Sequence, residues 1–333
     1  MRRTISGLVA VVFLFPSYVV SSDRGVTIGS QKKQPVRVRS VLWRHPTDIR
    51  TRNLSLGPGG ETLRPHGPFK FVKEDRDGSS PKFVIEDRKG VQWKVKLGDE
   101  AKPETAATHL LWAVGYFADV NYYHPSLRVI GLPKLQRGQK YVTGNVVHGA
   151  RLERVDKSVK KINDWSWFDN PFIGSREFNG LRVMMALMNN WDLKEVNNAI
   201  YDVNGREHRY VVSDLGATFG RTGGDWTRSK GSLEDYLESR FIDEVEPAHV
   251  DLVLHSRPPI LYAAAIPYYR QRTRMAQVAK DIPRPHARWI GHLLVQLSER
   301  QIADAFLGAG YSPGESRAYA ARVRERIGQL VRV

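Results

Sequence analysis

Asn189-Asn190-Trp191-Asp192-Leu193-Lys194-Glu195-Val196-Asn197-Asn198 is the stretch on which the fold turns. It is a polar loop between a helix and a hairpin. The helix is expected from about Glu177 to Met188, because Phe178, Leu181, Met185 and Met188 recur at helical spacing. The hairpin is expected from Ala199 to Val203 and from Arg209 to Ser213, around Asn204-Gly205, a dipeptide that suits a tight turn with positive φ. Asp214-Leu215-Gly216 follows directly. A hairpin brings its two ends together, so Asn197 and Asp214 are expected to be neighbours. Carboxylate and amide oxygens are what hard cations such as Mg²⁺ take, together with phosphate oxygens and water. Asp192, five positions before Asn197 on the same loop, is placed to orient a hydroxyl nucleophile.

Upstream, Phe69 and Phe71 alternate with polar residues before the turn Asp75-Arg76-Asp77-Gly78-Ser79-Ser80. Phe83 and Ile85 alternate next. Asp87-Arg88-Lys89-Gly90 turns again, and Val91, Trp93, Val95 and Leu97 form a third run. Three short alternating runs joined by glycine-containing turns predict an antiparallel meander. A helix is predicted after Pro103, where Ala107, Leu110, Leu111 and Val114 keep helical spacing. Further strands are predicted near Leu127 to Ile130 and Asn145 to Leu152. Beyond the hairpin the pattern is mostly helical, and Ser298 with Gln301 and Ser312 with Glu315 read as capping boxes. On the third strand, alternation puts Lys94 and Lys96 on one face, away from Trp93 and Val95. Glu104 shares a helix face with Ala107 and Leu111.

Taken singly these features are ordinary: a hairpin turn, strand lysines in solvent, an acid at a helix start, loop-forming Asp and Asn. Their order is not. Turn, strand Lys, helix Glu, Asp-x4-Asn, hairpin and Asp-x-Gly follow one another as they do in the protein kinase superfamily, which this chain resembles from about Phe69 to Gly220. Asn190 and Asn198 bring it closer to the atypical branches: HipA-type, phosphoinositide, spore-coat and secreted kinases.

The resemblance implies an α+β, two-lobed kinase-like fold, with a small β-rich N-lobe at 67–151 and a larger, mainly helical C-lobe at 152–333. It implies ATP or another nucleotide bound with Mg²⁺ or Mn²⁺, and phosphoryl transfer to an unknown protein, lipid or glycan acceptor. Asp192 would be the catalytic carboxylate. Lys96 would hold phosphate and pair with Glu104, with Lys94 the alternative lysine. Gly78, Ser79 and Ser80 would cradle phosphate oxygens, and Asn197 and Asp214 would hold metal. The chain departs from ordinary protein kinases in having Asn190-Trp191 before Asp192, and from several atypical branches in having Leu193-Lys194 after it. The turn at Gly78 is not a full Gly-x-Gly-x-x-Gly. A non-catalytic protein that keeps the fold is therefore the alternative.

Composition bounds these readings. The chain has 333 residues, a net charge of +16 and a hydrophobic fraction of 41%, with eight Trp and thirteen Tyr, which excludes a wholly disordered chain. The absence of cysteine excludes a disulfide scaffold, thiol catalysis, a lipoprotein anchor and a cysteine zinc site. The basic charge attracts nucleotides and polyanions without choosing among them. A polyanion-binding protein would explain the charge but not the motif order, and nucleic acid is not the expected partner. Arg2 and Arg3, the apolar run from Gly7 to Phe15 and the small residues through Ser22 predict a signal peptide over 1–22, cleaved near Ser21 or Ser22, and a periplasmic or secreted protein. An uncleaved anchor over Leu8 to Val20 is the alternative. Residues 23–66, rich in Gly, Pro, Arg and Ser, are expected to be extended or partly ordered. No His-Glu-x-x-His or Gly-x-Ser-x-Gly motif occurs, so zinc and serine hydrolases lack support. Trp165-Ser166-Trp167-Phe168 is expected to pack. The basic run Arg257 to Arg274, with Tyr262, Tyr268 and Tyr269, is expected to be a solvated helical face.

Overall fold

Phe83 and Ile85 on one strand, and Trp93, Val95 and Leu97 on the next, all turn to the same side, and that side is the inside of a closed sheet. The computed structural model describes residues 38–78, 80–222, 228–254, 271 and 273–333. Ser79, nearly all of the basic run from Arg257 to Arg274 and the N-terminal segment through residue 37 lie outside the described residues.

The first strand, β1 (Arg39–Val41), is followed by the expected meander: β2 (Phe69–Asp75), β3 (Lys82–Glu86) and β4 (Gln92–Leu97). Helix α1 (Ala101–Ala113) comes next, then β5 (Asn121–Ile130), β6 (Val142–Thr143) and β7 (Val146–Arg154). β7 pairs with β5 on one edge and with β4 on the other, while β5 pairs with β2 in parallel. The ladder therefore runs β4-β3-β2-β5-β7 and returns to β4, with β6 added beside the start of β7. Closure removes exposed strand edges. Inside lie Phe83, Ile85, Trp93, Val95, Leu97, Leu127, Val129, Val147 and Leu152, all buried. The Trp93 indole N–H donates to Asp87 at 2.9 Å, which satisfies the polar atom that this ring brings into the core.

α1 is buried on nearly every side, as a helix between two layers must be. It packs against β5 and β7 and against a helix of the second core. That core is built by α2 (Arg176–Leu187), α4 (Arg284–Leu294), α5 (Glu299–Gly308) and α6 (Pro313–Leu330), with Trp165 and Trp167 packed into it. Both capping boxes form, at Ser298 with Gln301 and at Ser312 with Glu315. The short helix α3 (Leu233–Glu238) precedes them in the chain.

Two features differ from expectation. Within 23–66, the described residues 38–66 are packed rather than extended. β1 pairs in parallel with a strand at Glu207–Val212, and Leu42, Ile49 and Leu54 are buried in the helical core. Their irregular spacing carries no period, so only tertiary packing reveals them. The C-terminal half also contains sheet. β8 (Val159–Asn163), β9 (Asn198–Val203) and β10 (Glu207–Val212) join β1 in the order β1-β10-β9-β8. β11 (Ile242–Val245), β12 (His249–Leu252) and β13 (Ile282–Pro283) form a third, three-stranded sheet. Strands of two to five residues hold too few side chains to show a period of two. The β9–β10 hairpin around Asn204-Gly205 is present as expected, with Asn204 at φ 54° and Gly205 at φ 65°.

Candidate functional site

On β4 the side chains facing away from the closed core are Lys94 and Lys96, and their partners across the ladder on β7 are Glu153 and Arg151. α1 lies over this face, and its first turn contributes Glu104, 1% exposed. Lys96 Nζ is 2.8 Å from Glu104 Oε2, and Arg151 reaches Glu104 Oε1 at 3.4 Å. Lys94 meets Glu153 at 3.3 Å instead. Of the two strand lysines, Lys96 alone is paired with Glu104, because it stands at the end of β4 from which the chain turns into α1. Burial works against the Lys96 charge, but Glu104, Asp214 and Glu100 outweigh it and raise the ammonium above the ordinary lysine range. Burial pushes the Glu104 carboxyl up, against the pull of Arg151 and Lys96.

The second half of the site is the loop after α2. Asn189 takes a positive φ of 54°, tolerable for asparagine. Its amide is held by Gly220 O and Ser239, and by Arg326 of α6 at 2.8 Å. The loop backbone is pinned to the segment after Asp214 by Trp191 N to Ala217 O and Phe219 N to Met188 O, at 3.3 and 2.8 Å. Asp192 N bonds Asn190 Oδ1, and the Asp192 carboxylate faces Lys194 at 2.9 Å. Asn197 joins the pieces: its Nδ2 donates to Asp192 O at 2.7 Å, and its carbonyl accepts from Ser213 N and Asp214 N at 2.9 and 3.2 Å. Asp214 Oδ1 then accepts from Gly216 N at 3.1 Å and stands 3.3 Å from Lys96 Nζ. The structure thus brings Lys96, Glu104, Asp214, Asn197 and Asp192 into one connected set.

Four further residues belong to this set and were not singled out in the sequence. Glu100 contacts Lys96 at 3.0 Å, Ser80 Oγ at 2.8 Å and the Lys230 ammonium. Arg151 secures Glu104, and Lys194 faces Asp192. Glu100 is four residues from Lys96, but a strand end and a turn separate them, so no helical pairing rule points to it. Lys230 and Arg151 reach the site only through tertiary packing. At the turn, Gly78 has φ 66° and its carbonyl accepts from Arg137 at 2.6 Å. Ser80 faces the site and Gly78 faces Arg137.

The donor set suits a hard divalent cation. The Asn197 amide spends its N–H on Asp192 and leaves an oxygen, and the Asp214 side chain is 44% exposed beside it in the network. Glu100, Glu104 and Asp214 also offer oxygens within 4.8 Å of one another, but the Lys96 ammonium contacts all three and already serves as their cation.

Two residue pairs along the ladder from Lys96 and Arg151, a cavity of about 380 Å³ opens beside Lys94 and Glu153. Phe117, Val120 and Val155 wall it, and Tyr201 and Val211 of the hairpin line it. Asp119 lines it too; burial and the Glu153 charge, opposed by Arg151, push its carboxyl up to about 7. A larger cavity, about 830 Å³, lies away from all these residues, among Arg221, Glu238, Asp243, Asp251 and Lys280. Lys280 pairs there with Asp243 and Asp251 at 2.6 and 3.0 Å.

No family model and no curated protein matches the chain. Among solved structures, a Helicobacter pylori proinflammatory kinase, CtkA, is similar with a TM-score of 0.45 and 10% identity, over 79% of this chain and 95% of that one.

Proposed function

We propose that the chain is a kinase-like protein of the periplasm or exterior that binds ATP with Mg²⁺ or Mn²⁺ and transfers phosphoryl to a hydroxyl acceptor. The observation that carries this is the convergence of Lys96, paired with Glu104, on an Asp214 whose backbone is bonded to Asn197. A phosphate-holding cation, two oxygen ligands for metal and a loop carboxylate are what a phosphoryl transfer needs, because its catalysis is mostly positioning and charge neutralisation. The cavity beside Lys94 has the size and aromatic lining for the base of a nucleotide whose phosphates meet Lys96.

When bound, the metal supplies charge neutralisation at the phosphates, and Asn197 and Asp214 are the residues that would hold it. Lys96 holds phosphate oxygens, kept charged and aimed by Glu104. Asp192 orients the acceptor hydroxyl and accepts its proton, and Lys194 offsets negative charge beside it. The acceptor oxygen bonds to the terminal phosphorus as the bond to the bridging oxygen breaks.

A second reading, a non-catalytic protein with the same binding residues, is favoured by one observation: Lys96 already contacts three carboxylates. One experiment separates the two. Asp192→Ala should bind ATP about as well as wild type yet lose label transfer from γ-labelled ATP, since the interaction acts in the transition state. Asp214→Asn should lose the metal-dependent part of binding while staying folded. Wild type that binds but transfers no label to itself, water or a panel of peptides, lipids and glycans supports the second reading. Transfer that survives Asp192→Ala rejects the assignment of Asp192.

A further inference from the structure

Glu100 occupies a cradle built of donors from three distant parts of the chain. Ser80 Oγ comes from the turn between β2 and β3, Lys96 Nζ from the end of β4, and Lys230 Nζ from beyond Asp214. The Glu100 side chain is 14% exposed. It lies flat on Gly216: a Cβ added there would stand 2.8 Å from the Cβ, Cγ and Cδ of Glu100. Gly216 has no positive φ, so its missing side chain is explained by this contact. Lys230 also lies over the Trp191 ring, 5.4 Å from its centroid, and Trp191 directly precedes Asp192.

Two ammonium groups and a hydroxyl converging on one point make an anion site, and here the anion is supplied by the chain itself. The local charges balance: Glu100, Glu104, Asp214 and Glu153 against Lys96, Arg151, Lys230 and Lys94. Phosphates entering beside Lys96, even with one divalent cation, would add net negative charge unless one carboxylate leaves. Glu104 is fully enclosed and held by two cations. Asp214 is tied by Gly216 and faces solvent. Glu100 stands at the residue before α1, where its side chain makes no capping bond to the helix, so it is the group able to rotate out.

We propose that Glu100 is an internal occupant of a phosphate cradle, and that Lys230 joins Lys96 and Ser80 as a phosphate-binding residue once Glu100 leaves. This deepens, and rests on, the nucleotide-binding function proposed above. The occupied state lowers apparent nucleotide affinity by the fraction of molecules in which the cradle is open. It also lets the chain hold Lys96 neutralised when nucleotide is absent.

The test is calorimetric binding of ATP with Mg²⁺ to the full chain as wild type, Glu100→Gln, and Glu100→Gln combined with Lys230→Met. A thermal melt of each without ligand reports folding, and Glu100→Ala replaces the glutamine variant if that does not melt cooperatively. Glu100→Gln should bind about tenfold tighter or more, the scale of one charge-assisted contact. Adding Lys230→Met should take about tenfold back. Wild-type affinity in the Glu100 variant overturns the occupant role. Unchanged affinity on adding Lys230→Met overturns the phosphate role of Lys230. Absence of binding by all three folded proteins overturns nucleotide binding itself, a different outcome from either of these.

Discussion

Replacing Lys96 by Met removes a cation that contacts Glu100, Glu104 and Asp214 together, at 3.0, 2.8 and 3.3 Å. Met keeps the length and apolar stem of the side chain, which is 9% exposed, so packing changes little. What changes is charge. Removing one partner of a buried ion pair costs roughly 3–5 kcal/mol, because the other charge is left in low dielectric. Here the lower end applies. Glu104 keeps Arg151, Glu100 keeps Lys230 and Ser80, and Asp214 is partly solvated. A loss of about 3 kcal/mol at pH 7.5 is expected, roughly a 4 °C fall in melting temperature for a chain of this size. The loss should depend on pH in a definite sense. The Glu104 carboxyl is already raised by burial, and losing Lys96 raises it further. Between the unfolded value of 4.5 and this elevated folded value the native state binds more protons than the unfolded one, so stability falls as pH rises. The penalty of Lys96→Met should therefore shrink toward pH 5. Adding Glu104→Gln to Lys96→Met should recover part of it, since the cycle then removes both charges. Urea denaturation at pH 5 and 7.5 on the four members of the cycle is the assay. A penalty below about 1 kcal/mol, or one that grows on acidification, would refute the argument that Glu104 is a buried charge neutralised by Lys96.

Three other outcomes follow from named contacts. Gly57 has φ 60° and lies so close to the His109 ring that an added Cβ would stand 2.2 Å from Cδ2, so Gly57→Ala should cost at least about 2 kcal/mol in urea midpoint analysis, both strain and overlap acting together. His109 itself is buried and held near 4 by desolvation, against bonds to Leu54 O and Asn121 O. The unfolded chain binds that proton from about 6.5 downward, so stability is intact above this value and lost as pH falls toward 4, by up to roughly 3 kcal/mol; His109→Gln should flatten that part of the profile. Arg326 is 0% exposed and forks onto Leu187 O, Asn189 Oδ1 and Ser239, so Arg326→Lys, which keeps the charge but not the fork, should lose about 2–4 kcal/mol in denaturant midpoint and loosen the Asp192 loop, read as faster amide exchange there.

Local chemistry carried much of the site into view. Asn204-Gly205 dictates a tight hairpin, and a hairpin of any register brings the residue before it beside the residue after it, which is why Asn197 and Asp214 could be paired on paper. Alternation on β4 likewise put Lys94 and Lys96 on the face opposite Trp93 and Val95. Alternation does not choose which lysine meets Glu104, because that depends on where α1 crosses the strand, a packing distance with no periodic signature. The same limit hid Arg151, whose partner across the ladder is Lys96 only because β7 closes the sheet against β4.

The sequence by itself determined the elements whose signals are short in range: the meander, α1 and α2, the hairpin, both capping boxes and the polar loop carrying Asp192. These follow from side-chain periodicity, turn conformations and caps, each set by residues a few positions apart. Only the tertiary structure decided that the sheet closes, that residues 38–66 are packed rather than extended, and that Glu100, Ser80, Lys96 and Lys230 share one point in space. The physical reason is the same in each case. Ladder closure, burial of unpatterned apolar residues and ion pairing across 130 positions are decided by how preformed elements exclude water and satisfy charge against one another, and no local pattern encodes that choice.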